Sequence, residues 1–349
     1  MKKVLLGMSG GVDSSVSAIL LKEQGYDVIG ITLELFGGTC CNTDAIVGAK
    51  QICNSIGIPH ITYNLKEEFQ CKVINNFIDE YSNQRTPNPC IECNKYMKFG
   101  AMYEKAKELG CDYIATGHYA KMEYSDEYGK YVLRKAQNLS KDQSYVLYNM
   151  PKQLLGKVLF PLGDFESKED VRKIAKEHNL SVASKPDSED ICFIPDGNYK
   201  KFLEQNSSIV PKKGNIVNRK GEILGRHTGL YNYTIGQRKG LGISYKVPLF
   251  VIGFNKERNE VIVGEQQELY RKEMKVNEVN LLLMDKIERA LDVTVKIRYA
   301  SKPAEAIINQ TEAGNIQVIF KEPQRGITPG QSAVFYIGDV VVGGGKIQN

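Results

Sequence analysis

Short apolar runs alternate with amphipathic stretches over the first 200 residues. Val4–Met8 reads as a strand that empties into the glycine- and hydroxyl-rich stretch "GMSGGVDSS" at residues 7–15. Ser14–Gln24 carries Val16, Ile19, Leu20 and Leu21 at helical spacing, and Gly25 is its stop. Tyr26–Leu35 predicts a second strand. Thr43 is placed to cap a helix that runs to Ser55 with Ile46, Ala49 and Ile52 on its inner side, and Ile58–Tyr63 predicts a third strand. Lys98–Leu109, closed by Gly110, predicts another helix, and Asp112–Thr116 the strand after it. This rhythm calls for a parallel sheet with helices on both faces.

After about residue 205 the helical period fades. Asn215–Val217, Leu249–Phe254, Glu260–Val263, Leu291–Ile297, Asn315–Phe320, Ser332–Ile337 and Val340–Val342 alternate as short strands between turns rich in Gly, Pro and Asn. Such a pattern predicts one or two small barrels. The expected fold class is therefore α/β followed by two small β-rich domains. The α/β domain is expected over 1–205, a central β-rich domain over 206–273 and a C-terminal β-barrel over 274–349. Lys212-Lys213-Gly214 and Arg271–Lys275 are the candidate boundaries, and no internal repeat interrupts them.

Composition narrows the class. The 349 residues are 42% hydrophobic and 25% charged, which suits a globular chain of two or three domains. No apolar run reaches the ~20 residues that span a bilayer. Glycines break the first apolar stretch, which argues against a signal peptide. A soluble, cytoplasmic protein with no membrane partner is expected. Eight cysteines in a chain of this length do not suggest a secreted disulfide framework. Cys53, Cys71 and Cys111 are expected to be ordinary buried thiols. Cys40, Cys41, Cys90, Cys93 and Cys192 stand beside Gly, Pro or Asp and are expected near loops. The net charge of +5 is uneven: residues 200–349 carry 23 Lys and Arg against 15 Asp and Glu. A basic C-terminal half fits a polyanion partner as well as a solvated surface.

The opening loop fails two common phosphate patterns. It lacks the lysine of a Walker loop, and Ser9 stands where the Rossmann fingerprint has its second glycine. What remains is Ser-Gly-Gly-Val-Asp-Ser between a strand and a helix. Gly10 and Gly11 let the backbone approach a pyrophosphate, and the helix N-terminus with Ser9, Ser14 and Ser15 supplies donors. Asp13 is repelled by bare phosphate, so its presence points to Mg²⁺. The string resembles the signature of the PP-loop ATP pyrophosphatase superfamily at every motif position. That resemblance implies ATP binding and transfer of AMP to an oxygen with release of pyrophosphate. It places nucleotide contacts at Gly7, Met8, Ser9, Gly10, Gly11, Val12, Asp13 and Ser14, at the backbone near Leu33, and at Gly117 in "ATGHYA", and it casts Asp13 as catalytic.

Members of that superfamily add ammonia or sulfur to the activated carbon. Nothing in this chain reads as a glutaminase, whereas "TPNPCIECNKYMKF" and "SKPDSEDICFIPDGNY" supply Cys93 and Cys192. A Cys93 in the first turn of a helix, with Lys95 and Lys98 nearby, would have its thiol pKa lowered. "NPCIECNKYMKF", "ATGHYA", "KDQSYVLY", "DSEDICFIPDGNY" and "YTIGQRKGLGI" together resemble the tRNA-specific 2-thiouridylase family over nearly the whole chain. The resemblance implies conversion of the wobble uridine of certain tRNAs to 2-thiouridine. It implies Cys93 as nucleophile, Cys192 as persulfide carrier, and Asn88, Pro89 and Cys90 beside the target base. It also implies tRNA contacts at Lys141, Asp142, Gln143, Arg298, Tyr299 and Gln331, with His118 nearby. The partners are then the tRNA anticodon loop and a sulfur donor protein or hydrosulfide.

One departure leaves two routes open. Many members of the family have Asp where this chain has Cys90, so the motif here is C-x-x-C. Cys90, Cys93 and Cys192 are three thiolates, the ligand number of a [4Fe–4S] cluster with one open iron. Zinc fits less well, without a second C-x-x-C pair or a spaced His. A different class, an amide-forming synthetase of the argininosuccinate-synthase type, is disfavoured by the paired cysteines and the basic β half. A non-catalytic RNA-binding protein is disfavoured by the intact loop. His60, His178, Tyr231 and Tyr233 are expected to be structural or surface residues, and His227 is expected in a surface turn.

Overall fold

The computed structural model describes residues 1–36, 43–185 and 191–348. The Cys40-Cys41 pair, the acidic stretch Asp187–Asp190 and the capping side chain expected of Thr43 lie outside what is described. Strand β1 (Lys3–Gly7) is buried through Val4, Leu5 and Leu6, as a central parallel strand covered on both faces must be. It is followed by α1 (Val12–Glu23), β2 (Asp27–Glu34), α2 (Thr43–Ile56) and β3 (His60–Asn64). Two helical arms come next. The first is α3 (Lys66–Phe69), which passes through a π-helical segment, Gln70–Ile74, into α4 (Asn75–Ser82). The second is α5 (Pro89–Cys93), which passes through the π-helical segment Asn94–Ala101 into α6 (Met102–Glu108). The helix expected from Lys98 thus begins nine residues earlier, at a proline whose fixed φ suits a first helical position.

The α/β part continues with β4 (Tyr113–Ala115), the hairpin β5 (Ala120–Ser125) and β6 (Lys130–Lys135), α7 (Ser144–Leu147), β7 (Val158–Leu159), α8 (Lys168–Glu177) and α9 (Tyr199–Asn206). Its sheet is parallel throughout, in the order β3-β2-β1-β4-β7. The chain leaves β1 toward β2 on one side and reaches β4 on the other. The crevice beyond the carboxyl ends of β1 and β4 is therefore the topological switch point, where open α/β sheets bind ligands.

A four-stranded sheet follows, built from β8 (Gly214–Asn218), β9 (Ile223–His227), β10 (Phe250–Asn255) and β11 (Glu260–Gly264) in the order β10-β11-β8-β9. The last part contains β12 (Tyr270–Leu281), β13 (Leu291–Lys296), β14 (Ala304–Gln310), β15 (Ile316–Arg325), β16 (Ser332–Ile337) and β17 (Val340–Ile347). Because β12 pairs with both β15 and β17, these six strands close into a barrel. Val276, Val295, Ile308, Val318, Phe320 and Phe335 fill its interior.

The hairpin β5–β6, absent from the sequence reading, ties the two ends of the chain together. Arg134 of β6 pairs with Val340 of β17, so the hairpin extends the barrel sheet into the α/β part. Leu133, Tyr145 and Tyr148 share one core with Val334, Tyr336 and Val341. Among the described residues no helix is long and apolar enough to cross a membrane.

Three expectations need correcting. Cys71 is exposed rather than buried. His227 is buried at 1% exposure, and its Nε2 pairs with the Asn259 carbonyl at 3.0 Å, so it presents no surface. The α5 start is set by Asn88, whose side chain accepts from the Cys90 amide, with Pro89 next. Cys90 and not Cys93 therefore occupies the first helical turn. Cys53 and His60 follow expectation: burial pushes the Cys53 thiol up to about 11, and His60 Nε2 meets Thr32 Oγ1 at 2.8 Å.

Candidate active site

The loop after β1 is held open by its own hydroxyls. The Met8 amide donates to the Ile31 carbonyl at 2.7 Å, and Thr32 Oγ1 donates to the Met8 carbonyl at 2.8 Å, which fixes the strand end. Gly10 has φ +71°, and a Cβ there would stand 3.0 Å from the Ala45 carbonyl. A side chain at this position would be strained and crowded at once. Ser14 Oγ lies 3.2 Å from Ser9 Oγ, and Ser15 Oγ donates to the Gly11 carbonyl at 2.7 Å. Gly11 provides the N-cap of α1 without any side-chain cap, so the first amides of a buried twelve-residue helix face the crevice.

Gly117 completes the crevice from β4. A Cβ on it would lie 2.9 Å from both the Asp13 carbonyl carbon and the Ser14 amide nitrogen. We therefore expect Gly117→Ala to push the start of α1 away from β4. The Michaelis constant for ATP should rise about ten-fold, with a stability loss of about 1–3 kcal/mol typical of overpacking. Steady-state pyrophosphate release against ATP concentration, with a thermal melt, checks both.

Asp13 is the charged residue of the loop, and its partners lie far along the chain. Lys168 Nζ donates to its two oxygens at 2.6 and 2.7 Å, and Tyr119 Oη donates to Oδ1 at 2.8 Å. The Lys168 side chain is only 9% exposed. It enters from the start of α8, where Ser167 Oγ caps the helix by accepting from the Asp170 amide. Lys185 Nζ also reaches the loop, donating to the Gly10 carbonyl at 3.3 Å. Sequence reasoning missed Tyr119, Lys168 and Lys185. The Ser-Lys-Glu-Asp start of α8 is a capping signal, but nothing in it says that the lysine turns toward residue 13. Leu33 lies within β2, half-buried, one strand over from β1.

The two cysteines singled out by sequence share one apolar cluster. Cys93 at the end of α5 is 8% exposed and belongs to an apolar cluster with Leu35, Phe69, Phe77, Met97 and Phe193. Cys192 packs against the same cluster. Its neighbour Phe193 is its anchor, with ring centroids 5.2–5.7 Å from Phe69, Phe77 and Phe202. The aromatic edges hold the segment that carries Cys192 against α3, α4 and α9. Cys90 departs from this grouping: it is exposed, on the barrel side of α5. Among the described residues no three His, Cys, Asp or Glu side chains are gathered to hold a metal ion. The expected cluster ligands Cys90, Cys93 and Cys192 therefore do not form a ligand set.

Several side chains expected to contact RNA also brace the fold. His118 is 9% exposed between Phe99 and Phe160. Lys98 Nζ donates to its Nε2 at 3.4 Å, so Nδ1 carries the proton and donates to Thr116 Oγ1 at 2.7 Å. Burial, with Lys98 second, holds its pKa well below the usual range, so the ring is neutral. Asp142 is 6% exposed and accepts from the Ala136 amide, the Ser144 amide and Ser144 Oγ. Gln143 Oε1 accepts from the Tyr119 amide at 2.9 Å. The Arg298 guanidinium donates to the carbonyls of Ile235 and Gly326 and to Thr328 Oγ1, which pins the central sheet to the barrel. Gln331 Nε2 donates to the carbonyls of Thr86 and Pro87 and ties the barrel to the loop before α5. His118 and Asp142 are buried, whereas Gln143, Arg298 and Gln331 are half-buried, and Arg298 Nε has no partner among the described residues. Lys141 and Asn88 are half-buried, and Tyr299 is 42% exposed, so these three keep reachable surface.

The barrel also grips α4 through charge. Glu80, 3% exposed, takes Arg85 at 2.7 Å and Lys346 at 3.3 Å, and Lys346 reaches Glu278 at 3.1 Å. Glu92 stands beside this group, and burial raises its carboxyl pKa while Lys346 opposes the shift. Asn280 Nδ2 donates to the Tyr148 and Met150 carbonyls, and Tyr145 Oη to the Ser332 carbonyl. The barrel is thereby tied to α4 and to the segment around α7.

Comparison with known proteins agrees with this architecture. Residues 2–196 match the family model described as tRNA methyl transferase HUP domain. Residues 200–265 match the tRNA methyl transferase PRC-barrel domain, and residues 271–347 the aminomethyltransferase beta-barrel domain. The chain is 48% identical to the tRNA-specific 2-thiouridylase MnmA of Clostridioides difficile (strain 630), over 99% of this chain and 98% of that protein. It is 49% identical to the tRNA-specific 2-thiouridylase MnmA of Acetivibrio thermocellus, over 99% of both. Among solved structures, NMN synthetase from Francisella tularensis is similar at 14% identity and a TM-score of 0.34, over 53% of this chain and 66% of that one.

Proposed function

The chain belongs to the tRNA-specific 2-thiouridylase family, and from that premise we propose how its side chains divide the work. The enzyme uses ATP to replace a uridine oxygen of tRNA with sulfur. O2 of the wobble uridine attacks the α-phosphorus of ATP and pyrophosphate leaves, so the oxygen becomes part of a leaving group. The crevice between Ser9–Ser14 and Gly117 holds the phosphates through α1 amides and hydroxyls. Asp13 with the Ser9 and Ser14 hydroxyls offers one carboxylate and neutral oxygens, a donor set that suits Mg²⁺ completed by phosphate oxygens and water. When bound, that ion spreads the charge of the phosphates.

Cys192 carries the sulfur as a persulfide. Its terminal sulfur bonds to C2, and the Cys93 thiolate then attacks the Cys192 sulfur. The product is a Cys93–Cys192 disulfide and a thiolate on C2, whose collapse expels AMP and leaves the C2=S bond. An external thiol supplies the two electrons that reset the disulfide. The observation that carries this reading is the seating of Cys93 and Cys192, from separate segments, in one apolar cluster. Flipping the base out of a single-stranded anticodon loop costs little, which suits a pocket built from α5 and the Cys192 segment.

Pyrophosphate release is the test. With ATP and Mg²⁺ it should depend on tRNA and be indifferent to small amino acids; release driven by an amino acid instead would point to an amide synthetase. Cys90 supplies the second arm. Its exposure, away from the Cys93 cluster, leads us to expect that Cys90→Ser keeps at least about half of wild-type thiolation when a persulfide donor is supplied. A loss as deep as that of a Cys93 variant would put Cys90 in the machinery and overturn the two-cysteine scheme.

A further inference from the structure

Two lysines meet at the seam where the hairpin β5–β6 joins the barrel. Lys135 ends β6; its Nζ lies 4.3 Å from the Tyr336 ring centroid and donates to the Gly338 carbonyl at 3.1 Å. Lys296 ends β13; its Nζ lies 5.8 Å from the Tyr145 centroid and 5.6 Å from that of Tyr299. Both side chains are half-buried. Asp142 is the acid that faces both, yet its two oxygens already accept three hydrogen bonds from Ala136 and Ser144. Neither lysine has an ion-pair partner among the described residues. Desolvation lowers the pKa of each, and the charge of Lys135 lowers that of Lys296 further.

Such an arrangement is costly in a free protein. Two like charges share one seam, partly stripped of water, and Asp142, with Asp339 beside Lys135, offsets them only in part. Aromatic faces offset a part of the desolvation and hold the ammonium groups in place before any ligand arrives. An anion with two exposed oxygens repays the remainder. The surroundings identify which anion. Tyr299 packs edge-on against Tyr145 at 6.0 Å and is 42% exposed. Tyr145 and Tyr336, the rings under the two lysines, share one core with Ile91 of α5, so the lysine pair lies near that helix. An exposed aromatic wall beside paired cations is the combination that holds single-stranded RNA, the ring taking a base and the cations its phosphate.

We propose that Lys135 and Lys296 form a seat for one backbone phosphate of the tRNA next to the nucleotide being modified, with Tyr299 as the stacking wall. The proposal rests on the tRNA reading above and adds a specific linkage to it. Seating that phosphate fixes the strand on one side of the target base, so that the base can turn toward Cys93 without carrying the backbone with it.

The test is binding of an anticodon stem–loop RNA across a salt series. The double variant K135Q/K296Q should bind roughly ten- to a hundred-fold more weakly at low salt. Its log–log salt slope should be shallower by about 0.7, the value for one neutralised single-strand phosphate. K135R/K296R keeps the charge and should restore the slope. A second series uses stem–loops that each carry one neutral methylphosphonate linkage around the target uridine. One linkage should weaken wild-type binding about ten-fold and leave K135Q/K296Q unaffected. An unchanged slope in K135Q/K296Q, an Arg pair as weak as the Gln pair, or linkage effects equal in wild type and variant would each overturn the seat. Wild-type protein that failed to bind any stem–loop would instead overturn the tRNA reading on which it stands.

Discussion

Cys192→Ser should leave tRNA-dependent pyrophosphate release near the wild-type rate while 2-thiouridine formation falls by about a thousand-fold or more. The crevice that handles ATP and the cluster that holds the thiols are built from different elements. The first is made by the β1–α1 loop and the end of β4, the second by α5 and the Phe193 anchor. A serine fits the space of Cys192 and leaves the Phe193 ring in its aromatic nest, so folding is spared. It cannot form a persulfide, and its hydroxyl is a poor nucleophile at neutral pH. Cys93→Ser should be equally inactive for a different reason. There the persulfide forms and attacks C2, but nothing cleaves the sulfur–sulfur bond, so enzyme and RNA accumulate as a thiol-reversible covalent adduct. Denaturing gel electrophoresis with and without reductant separates the two variants. A Cys93 variant that turned over normally, or a Cys192 variant that formed the adduct, would reverse the assigned roles.

What the sequence disclosed and what it concealed follow a physical division. The strand–loop–helix at residues 3–23 was legible because local chemistry decides it: an apolar run, a glycine at left-handed φ, and an apolar helix that starts just after it. The α/β-then-β order was legible from a change of period. The partner of Asp13 was not, since Lys168 lies 155 residues away and its capping context is that of any helix start. The hairpin β5–β6 was missed because its strands gain their purpose from β17, some 200 residues later. Polar residues gave the least secure reading. His118, Asp142 and Arg298 stand in motifs that resemble tRNA contacts, and residue type alone does not tell whether a donor is already spent. In the fold these three also brace the protein, while Lys135 and Lys296, which no motif marked, stand without an ion-pair partner among the described residues. The C-x-x-C spacing likewise suggested shared ligation, but the end of α5 points Cys90 outward and buries Cys93.

The Asp13–Lys168 pair yields the second large effect. Lys168→Met should lower tRNA-dependent pyrophosphate release by about a hundred- to a thousand-fold, the range for losing one preorganised charge partner of a developing anion. Thiolation should fall in parallel, unlike in the cysteine variants, because no activated oxygen is made. The argument rests on competition for one carboxylate. With Lys168 Nζ at 2.6 and 2.7 Å from its two oxygens and Tyr119 on one of them, Asp13 is saturated as long as the crevice holds no phosphate. It cannot keep that lysine and also serve a cation with the same oxygens. ATP phosphates entering against the α1 amides offer Lys168 a second anion, so the lysine shifts toward them and Asp13 is released. The pair also bears on stability. Asp13→Ala strands an ammonium whose side chain is 9% exposed, and such uncompensated charge costs about 2–3 kcal/mol after allowance for the partly exposed carboxylate. The double variant D13N/K168M removes both charges. Its melting temperature should return to within about 2 °C of wild type, while pyrophosphate release stays as low as in the single variants. Thermal melts of the four proteins, run beside the release assay, decide the matter. Recovery of activity together with stability would mean that the pair only holds the fold, and a release rate within about three-fold of wild type in Lys168→Met would exclude the lysine from the phosphate crevice.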